Sequence, residues 1–421
     1  MGPVAGGTVI DKAVLGGTAI DTGKIAIDSK GNRYVTGSYR GTAVFGNLAP
    51  ISSTADDAFL LKLDATNKPL WVKSFGGKGR DAGDDVALDV DGSVFMSGSF
   101  DSPEIQIGRQ SFKNHGVHDV FLAKLDPDGQ VLWANTYGDV ADQMDMRLTP
   151  FPGGGVVASG WFSGAMSFAG PPTRSPWDRA FFVARIDSDG HGRWGKAFGH
   201  RLDYLETDAA VDAHGNILVS GGSDASPDLT PGGSPSMKDD LGPVLVKLDP
   251  DGKLLSARRF GRDADNLTTG IAIDPKGNIR YAVGTRGVTT FDGEPRKPQN
   301  GELLIAASFD PAGALLWRRE IIAGTILSIA EATGNAAGDF FIAGQLEEDD
   351  PNLGTTREAG YVVKLDAAGR IDWTLRVADG TMSWLSGLAL DPTGRLVAVG
   401  AVAGADSSSP DNRLWIGTIA P

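Results

Sequence analysis

The sequence predicts an all-β protein, a seven-bladed β-propeller made of four-stranded antiparallel blades. Two observations lead to this fold class. A pair of glycines enclosing a short apolar-rich run occurs seven times, and the second glycines of successive pairs lie 56 to 63 residues apart. Each copy holds up to four short runs of β-forming residues bounded by turn residues, so that one copy accounts for one small sheet.

The first two runs of each copy are joined by a residue pattern typical of hairpins. In five copies the first run ends in Asp, and Gly follows three residues later, as in Asp28 and Gly31. Asp caps its own turn and Gly accepts a positive φ, so this spacing connects two antiparallel strands. Both runs are continuously apolar, which indicates burial on both faces of the sheet. Seven small sheets packed face to face around an axis satisfy that burial.

The third and fourth runs are equally regular. The third run has the form FLLKLD, which ends at Asp64 in the first copy, and in five of six copies a Trp follows the final Asp by seven residues. The fourth copy carries Ser256 at this position. The repeated residue predicts one packing site used by successive blades. It is occupied by Trp71, Trp133, Trp194, Trp317 and Trp373.

The seventh copy lacks its fourth run at the end of the chain. Residues 414–419 supply its third strand, and VLGG at residues 14–17 matches SFGG at residues 74–77, just ahead of a first strand. We therefore predict that an N-terminal strand near residues 10–15 completes the last blade and removes open sheet edges. The predicted blades are residues 24–77, 85–138, 145–199, 207–261, 269–320, 327–376, and 386–421 plus 9–16.

Composition excludes several classes of function. The formal net charge is −14, and no run of Lys and Arg interleaved with aromatic residues is present, which argues against a nucleic-acid partner. The absence of Cys excludes disulfides, thiol catalysis and Cys-ligated metal centres. The longest uncharged window, residues 148–173, is broken by prolines and glycines, so direct membrane insertion is not expected.

The repeat resembles a known family. The pattern Asp-x-x-Gly-x5-Gly, followed by Phe45-Gly46 and by the run from Asp57 to Trp71, is similar to the bacterial β-propeller repeats called SBBP repeats. The resemblance extends over nearly the whole chain, although the third and sixth copies depart from it. It implies a scaffold and an extracytoplasmic location: secreted, periplasmic or at the cell surface. The family has no catalytic residues that could be transferred to this chain. The first ten residues carry no export signal.

Strand parity separates the two ends of the ring. The turns between the first and second strands, and between the third and fourth, are short and lie at one end. The remaining connections lie at the opposite end, which we call the loop face. Those from the second to the third strand are near twenty residues long, as in residues 38–57 and 99–119. Long loops on a rigid scaffold commonly bind partners.

Several aromatic and basic residues match no repeat position and are expected in connections of the loop face. Aromatic anchors accompanied by Arg are typical of protein and sugar interfaces, so we predict a non-catalytic scaffold that binds a protein or glycan partner there. The alternative is that these rings fill gaps between loops. The predicted partner-binding residues are Trp161, Trp177, Arg174, Arg179, His200, Arg201, Tyr204 and Trp384.

Acidic residues between successive blades are weak candidates for a calcium site, since carboxylate oxygens are the ligands that calcium prefers. Asp also caps turns and accepts hydrogen bonds from neighbouring backbone, and no other cofactor is indicated. The candidate residues are Asp81, Asp84, Asp85, Asp142 and Asp145.

Enzymatic motifs are absent from the sequence. The five His residues lack metal-ligand spacing, and neither a phosphate-binding loop before a helix nor a G-x-S-x-G motif occurs. Residues from separate blades can still converge over the axis. The alternative function is therefore a propeller hydrolase or lyase with an axial active site that uses Asp145 and His200.

Overall fold

The structure, a computed structural model, is a ring of seven four-stranded antiparallel blades, which confirms the predicted β-propeller. No helix in the part of the chain that it describes is long and apolar enough to cross a membrane. The described residues are 7–17, 19–175, 179–198, 207–223, 242–260, 266–285, 289–290, 294–296, 303–321, 325–350, 355–377, 383–403 and 412–420.

The first strand of the chain, β1 (Val9–Leu15), belongs to the last blade. Blade 1 contains β2 (Ile20–Ile27), β3 (Arg33–Ala43), β4 (Ile51–Leu63) and β5 (Pro69–Phe75). Blade 2 contains β6 (Asp81–Leu88), β7 (Val94–Phe100), the small hairpin β8 (Glu104–Ile107) and β9 (Gln110–Lys113), then β10 (Asp119–Leu125) and β11 (Val131–Tyr137). Blade 3 contains β12 (Gln143–Pro150), β13 (Val156–Phe162), the hairpin β14 (Ala165–Met166) and β15 (Thr173–Arg174), then β16 (Ala180–Ile186) and β17 (Gly192–Phe198).

Blade 4 contains β18 (Asp208–Val211), β19 (Ile217–Ser223), β20 (Gly242–Leu248) and β21 (Leu254–Arg259). Blade 5 contains β22 (Asn266–Ile273), β23 (Ile279–Thr285), the hairpin β24 (Thr289–Thr290) and β25 (Pro295–Arg296), then β26 (Leu303–Phe309) and β27 (Leu315–Ile321). Blade 6 contains β28 (Thr325–Gly334), β29 (Phe340–Asp350), β30 (Thr355–Leu365) and β31 (Ile371–Val377). Blade 7 contains β32 (Ser383–Leu390), β33 (Leu396–Ala403), β34 (Asn412–Ile419) and β1.

The apolar core lies between blades. Strands β7, β10, β16, β23 and β26 are buried along their whole length, as their continuous apolar sequences predict. Each of the seven hydrophobic clusters combines side chains of two neighbouring blades, and together the clusters occupy all seven interfaces of the ring. The first strand of each blade contacts its counterparts around the axis, so it is only partly apolar.

The N-terminal strand closes the ring as predicted. Strand β1 pairs antiparallel with β34, from Val9 opposite Ile419 to Leu15 opposite Leu414. The Ala420 amide also donates to the Thr8 carbonyl at 2.8 Å. Strand β1 is thereby the fourth and outermost strand of blade 7.

The connections of the loop face differ from the prediction of twenty-residue loops. In blade 1, β3 and β4 continue beyond the body of the sheet, which leaves only residues 44–50 between them. Blades 2, 3 and 5 instead form the small hairpins given above. Backbone groups that the sequence assigned to loops are therefore paired in ladders that extend the loop face.

The repeated Trp is a clasp between blades. The indole N–H of Trp71 donates to the Pro127 carbonyl in the next blade at 3.2 Å, and Trp133, Trp194 and Trp317 make the equivalent bonds at 3.0–3.1 Å. The turn that accepts each bond ends in a positive-φ glycine under the indole. A Cβ on Gly129, Gly190 or Gly252 would lie 2.7–3.2 Å from the ring.

The clasp differs at the interfaces that follow blade 4 and blade 6, in ways that follow from the sequence. Blade 4 carries Ser256 instead of Trp; there Lys247 donates to the Pro311 carbonyl at 3.2 Å, and nothing lies within 4 Å of a Cβ built on Gly313. At the closure, Trp373 packs on Gly7, where a Cβ would lie 2.6 Å from its ring. The N-terminal segment therefore supplies both the missing strand and the glycine of the missing turn.

Removal of residues 1–18 is expected to destabilise the ring by about 5 kcal/mol or more, because the β1–β34 ladder and the side chains that β1 buries are lost. Chemical denaturation measures the change. A synthetic peptide of residues 7–17 added in trans should recover part of the lost stability. A truncated chain as stable as the intact one would contradict the closure.

Trp133→Ser reproduces the residue found in blade 4, and we expect it to cost about 2–4 kcal/mol of unfolding free energy, since a half-buried indole and its hydrogen bond are lost. The control is Leu132→Ser on the same strand, whose side chain is exposed and should matter little. Equal effects of the two substitutions would refute the clasp.

Candidate functional site

A cavity of about 410 Å³ opens at the loop face on the axis of the ring. Its walls come from the first strands of blades 1, 2, 3, 6 and 7 and from the second strands of blades 1, 2 and 6. The lining includes charged groups, four serines and an indole. The charged groups and the indole belong to Asp21, Lys24, Asp84, Asp145, Arg147 and Trp384.

Bulges in the first strands place these side chains. Pairing between β2 and β3 skips from Thr22 to Ile25, pairing between β6 and β7 from Gly83 to Asp85, and pairing between β12 and β13 from Met144 to Arg147. The residues left out include Lys24, Asp84 and Asp145. A bulge adds a residue to one strand and redirects its side chain, here into the cavity.

Asp84 and Asp145 face each other from neighbouring blades. Burial, followed by the negative charge of Asp145, raises the pKa of Asp84 well above its usual range. Burial also raises the pKa of Asp145. Asp145 has a φ of +57°, which is rare for a residue other than glycine and marks local strain. The two carboxyls are thus held together although they repel each other.

A Trp–Arg pair adjoins this carboxylate pair. The indole N–H of Trp161 donates to Asp145 Oδ2 at 2.7 Å, and the Arg179 guanidinium lies 4.8 Å from the centre of the Trp161 ring. Asp145 lines the cavity, while Trp161 and Arg179 are partly exposed beside it. The surface pair and the cavity therefore share Asp145.

A layer of charged residues crosses the axis beneath the cavity. It is formed by the residue that precedes the apolar run of each first strand, and its charged members are Lys24, Asp85, Arg147, Asp208 and Glu331. Lys24 Nζ lies 2.8 Å from Glu331 Oε2 and also donates to the Ala330 carbonyl. Burial raises the pKa values of Asp208 and Glu331, and the charge of Arg147 offsets part of that rise.

Asp85 and Asp208 in this layer also join neighbouring blades. Asp85 accepts from the Val86 amide at 2.7 Å and from the Leu148 amide of blade 3 at 2.8 Å. Asp208 repeats the arrangement with Ala209 and with Ile271 of blade 5, both at 2.8 Å. Burial and then the charge of Glu331 raise the pKa of Asp208 to about 8, and burial raises that of Glu331 to about 7.

The predicted partner-binding residues are only partly brought together. Trp161 and Arg179 are in contact, Trp384 lines the cavity, and Arg174 is exposed in β15. The expectation that the aromatic residues lie in loops is wrong for Trp161, which is in β13, and for Trp384, which is in β32, because the strands extend further than predicted. Trp177, His200, Arg201 and Tyr204 lie outside the described residues. Partner binding itself stays a prediction.

The five weak calcium candidates have different surroundings. Asp81, Asp84 and Asp85 belong to β6 rather than to a loop, which corrects the sequence expectation. Asp81 accepts from Ser102 and from the Gly77 amide, and Asp142 lies 2.8 Å from His118. Of the five calcium candidates, only Asp84 and Asp145 line the axial cavity.

Among the described residues, three acidic or His ligands converge only at the turn of Asp187, Asp189 and His191. There Asp187 accepts from the backbone amides of the other two, which is turn chemistry. Calcium binding stays a prediction.

Sequence reasoning missed the axial cavity and the charged layer. Both are assembled from equivalent positions of different copies, which spacing along one copy does not relate. The available signal was the residue just before each apolar first run. This residue is Lys24 in copy 1, Asp85 in copy 2 and Arg147 in copy 3, so its charge changes from copy to copy.

The geometry defines the class of protein as a seven-bladed β-propeller with a polar axial cavity. No family model matches the sequence. Regulatory protein FlaEY of Caulobacter vibrioides is 26% identical over 231 residues, which represent 52% of this chain and 23% of that protein. The chain thus spans about a quarter of the relative's length.

Similar solved structures have low identities. A protein of unknown function from Dyadobacter fermentans is 9% identical, with 99% of both chains covered and a TM-score of 0.49. NanB sialidase of Streptococcus pneumoniae is 9% identical, covering 95% of this chain and 68% of that one, with a TM-score of 0.42. An α-L-arabinanase of Penicillium chrysogenum is 10% identical, covering 79% and 91%, with a TM-score of 0.44. At these values the similarities carry no argument about activity.

The charged layer predicts an unusual pH dependence of stability. Because the folded-state pKa values of Asp208 and Glu331 are raised, the folded chain binds more protons than the unfolded chain above about pH 4, and stability falls as pH rises towards 8. Asp89 has the opposite effect on the pH dependence of stability, because its pKa is lowered in the folded chain. Burial alone would raise that pKa, but hydrogen bonds from Lys124 and Ser188 lower it to about 2. The stabilisation that ionised Asp89 provides is therefore lost only in strong acid.

We therefore expect the melting temperature to fall by a few degrees between pH 5.5 and 8, and Asp208→Asn to flatten that slope. Differential scanning calorimetry across this range measures both. Asp128→Asn, an exposed turn residue, is the control and should leave the slope unchanged. A melting temperature that rises towards pH 8 would contradict the raised pKa values.

Proposed function

We propose that this propeller is a non-catalytic binding module that holds a protein partner on its loop face. The observation that carries the proposal is the hydrogen bond from Trp161 to Asp145, because it joins the exposed Trp161–Arg179 pair to the axial cavity. A partner placed there would contact an aromatic anchor and a cavity at the same time. Buried aromatic and Arg anchors provide most of the binding free energy at protein interfaces.

Two further features support a protein partner. The similar Caulobacter protein is described as regulatory, a role consistent with binding rather than turnover. The acidic net charge of −14 favours association with basic partners by electrostatic steering. The resemblance to SBBP repeats supports a bacterial, extracytoplasmic setting for this interaction.

A second candidate function rests on the carboxyl pair. Two carboxyls in one cavity with raised pKa values, such as Asp84 and Asp145, are suited to general acid–base catalysis. A hydrolase or lyase acting on a glycan or an ester would use such a pair. The strain and the repulsion at the pair are also accounted for by ligand binding alone.

Trp161→Ala and Arg179→Ala are each expected to weaken partner capture from a cell-envelope extract by about tenfold or more, since both remove part of the anchor. Capture on the immobilised full chain, quantified by mass spectrometry, measures the loss. Arg193→Ala in the same blade is the matched control, because Arg193 pairs with Asp187 in the short turn at the other end of the ring.

Melting temperatures of the three variants should stay within a few degrees of the parent. If neither Trp161→Ala nor Arg179→Ala changes the amount of partner captured, the partner binds elsewhere. Turnover of a glycan or an ester that is abolished by Asp84→Asn would contradict the non-catalytic proposal and establish the second candidate.

A further inference from the structure

The axial cavity contrasts with the packed interfaces between blades. Each interface between blades is packed by its own hydrophobic cluster, whereas about 410 Å³ remain open on the axis. A volume of this size accommodates a small molecule or a long side chain. Its walls are held by bulged strands of the scaffold rather than by loops, so the site is formed before any ligand arrives.

The charges around this cavity are unevenly balanced. Lys24 and Arg147 line the cavity as well as belonging to the charged layer: Lys24 is paired with Glu331, and the charge of Arg147 offsets part of the rise in the pKa values of Glu331 and Asp208. Among the described residues, no Lys or Arg forms an ion pair with Asp21, Asp84 or Asp145. The cavity therefore presents three carboxyls from three blades that form no ion pair with Lys or Arg, although Lys24 and Arg147 also line it.

The partners of the central pair leave this charge in place. Asp84 accepts from the Ser99 hydroxyl and the Met146 amide, both at 3.3 Å, and Asp145 accepts from Trp161. These are neutral donors, and they do not remove the repulsion between the carboxyls. A cation between the two would convert that repulsion into two charge-assisted hydrogen bonds. A neutral sugar would leave it unchanged.

Resting on the proposed function, we propose that the cavity binds the guanidinium group of an Arg side chain from the protein partner, between Asp84 and Asp145 and beside Trp384. Guanidinium matches this site better than a point charge does, because its planar fork donates to two carboxylates and also packs on an indole. The partner thus inserts a basic side chain on the axis while Trp161 and Arg179 contact its surface.

Protonation of the pair competes with this ligand. Since burial raises both pKa values, the pair holds its protons more strongly than ordinary carboxyls do, and guanidinium binding should tighten as pH rises and the pair ionises. The other titratable or charged groups facing the pair from the surrounding strands and loops are Asp21, Lys24, Asp85, His118, Asp142, Arg147, Asp208 and Glu331.

The test uses N-acetyl-arginine N-methylamide as the probe, titrated into the full chain and followed by calorimetry and by the indole N–H signals in NMR spectra. We expect saturable binding that shifts the Trp384 and Trp161 signals. The citrulline analogue has the same shape without the charge, and its affinity should be lower by about tenfold or more. N-acetylglucosamine should not bind.

Asp84→Asn and Asp145→Asn should each weaken the arginine probe by about tenfold, and Asp128→Asn at the opposite end should not. Asn tolerates the positive φ of residue 145, so that variant should remain folded, which its melting curve checks. Equal affinity for the citrulline analogue, insensitivity to both Asn variants, or preference for the sugar would overturn the proposal.

Partner capture and probe binding separate the two proposals. If the arginine probe binds but Trp161→Ala does not change partner capture, the guanidinium site is supported and the partner surface is rejected. Capture that depends on Trp161 with no probe binding in any arm overturns the guanidinium site and leaves the partner surface intact.

Discussion

In the part of the chain that the structure describes, every hydrophobic cluster is shared by two blades, and none lies within a single blade. A four-stranded sheet of about 50 residues buries too little surface to be stable alone, and it gains its second face only from a neighbour. Stability is therefore a property of the closed ring. The Trp clasps matter because they complete interfaces between blades, and the β1–β34 ladder matters because it completes the last blade and thereby closes the ring.

Ring closure also determines where the repeats can differ. Middle strands are enclosed on both faces, and their apolar runs leave little freedom for polar residues. The first strands have one side on the axis, where seven equivalent positions meet. Unlike charges at those positions, such as Lys24 and Glu331, satisfy one another across the ring, which a single blade could not achieve. The axis is thus the place where a repetitive sequence builds a non-repetitive site.

The sequence was sufficient for the repeat, the strand count and the closure, because each depends on local patterns: Asp-x-x-Gly turns, apolar runs and the matching residues 14–17. The sequence was also sufficient to place Trp161 and Arg179 in one predicted set, since neither residue matches a repeat position, and the two side chains are in contact. It failed for the cavity, because the bulges at Asp84 and Asp145 shift the strand register by a residue or two and have no local signature. The convergence of those carboxyls is a consequence of the seven-fold arrangement.

The carboxyl pair is difficult to explain by stability alone. Strained backbone at Asp145 and repulsion between Asp84 and Asp145 both lower the stability of the ring, and neither is required by the fold, since blades 6 and 7 place Ala330 and Ser386 at the position of Asp84. An unfavourable arrangement that a rigid surrounding maintains is usual at ligand sites, where the ligand relieves it. The same argument fixes the sign of the expected ligand: only a positive group lowers the electrostatic free energy of both carboxylates at once. The cavity and the Trp161–Arg179 pair then act as one surface, because Asp145 belongs to both.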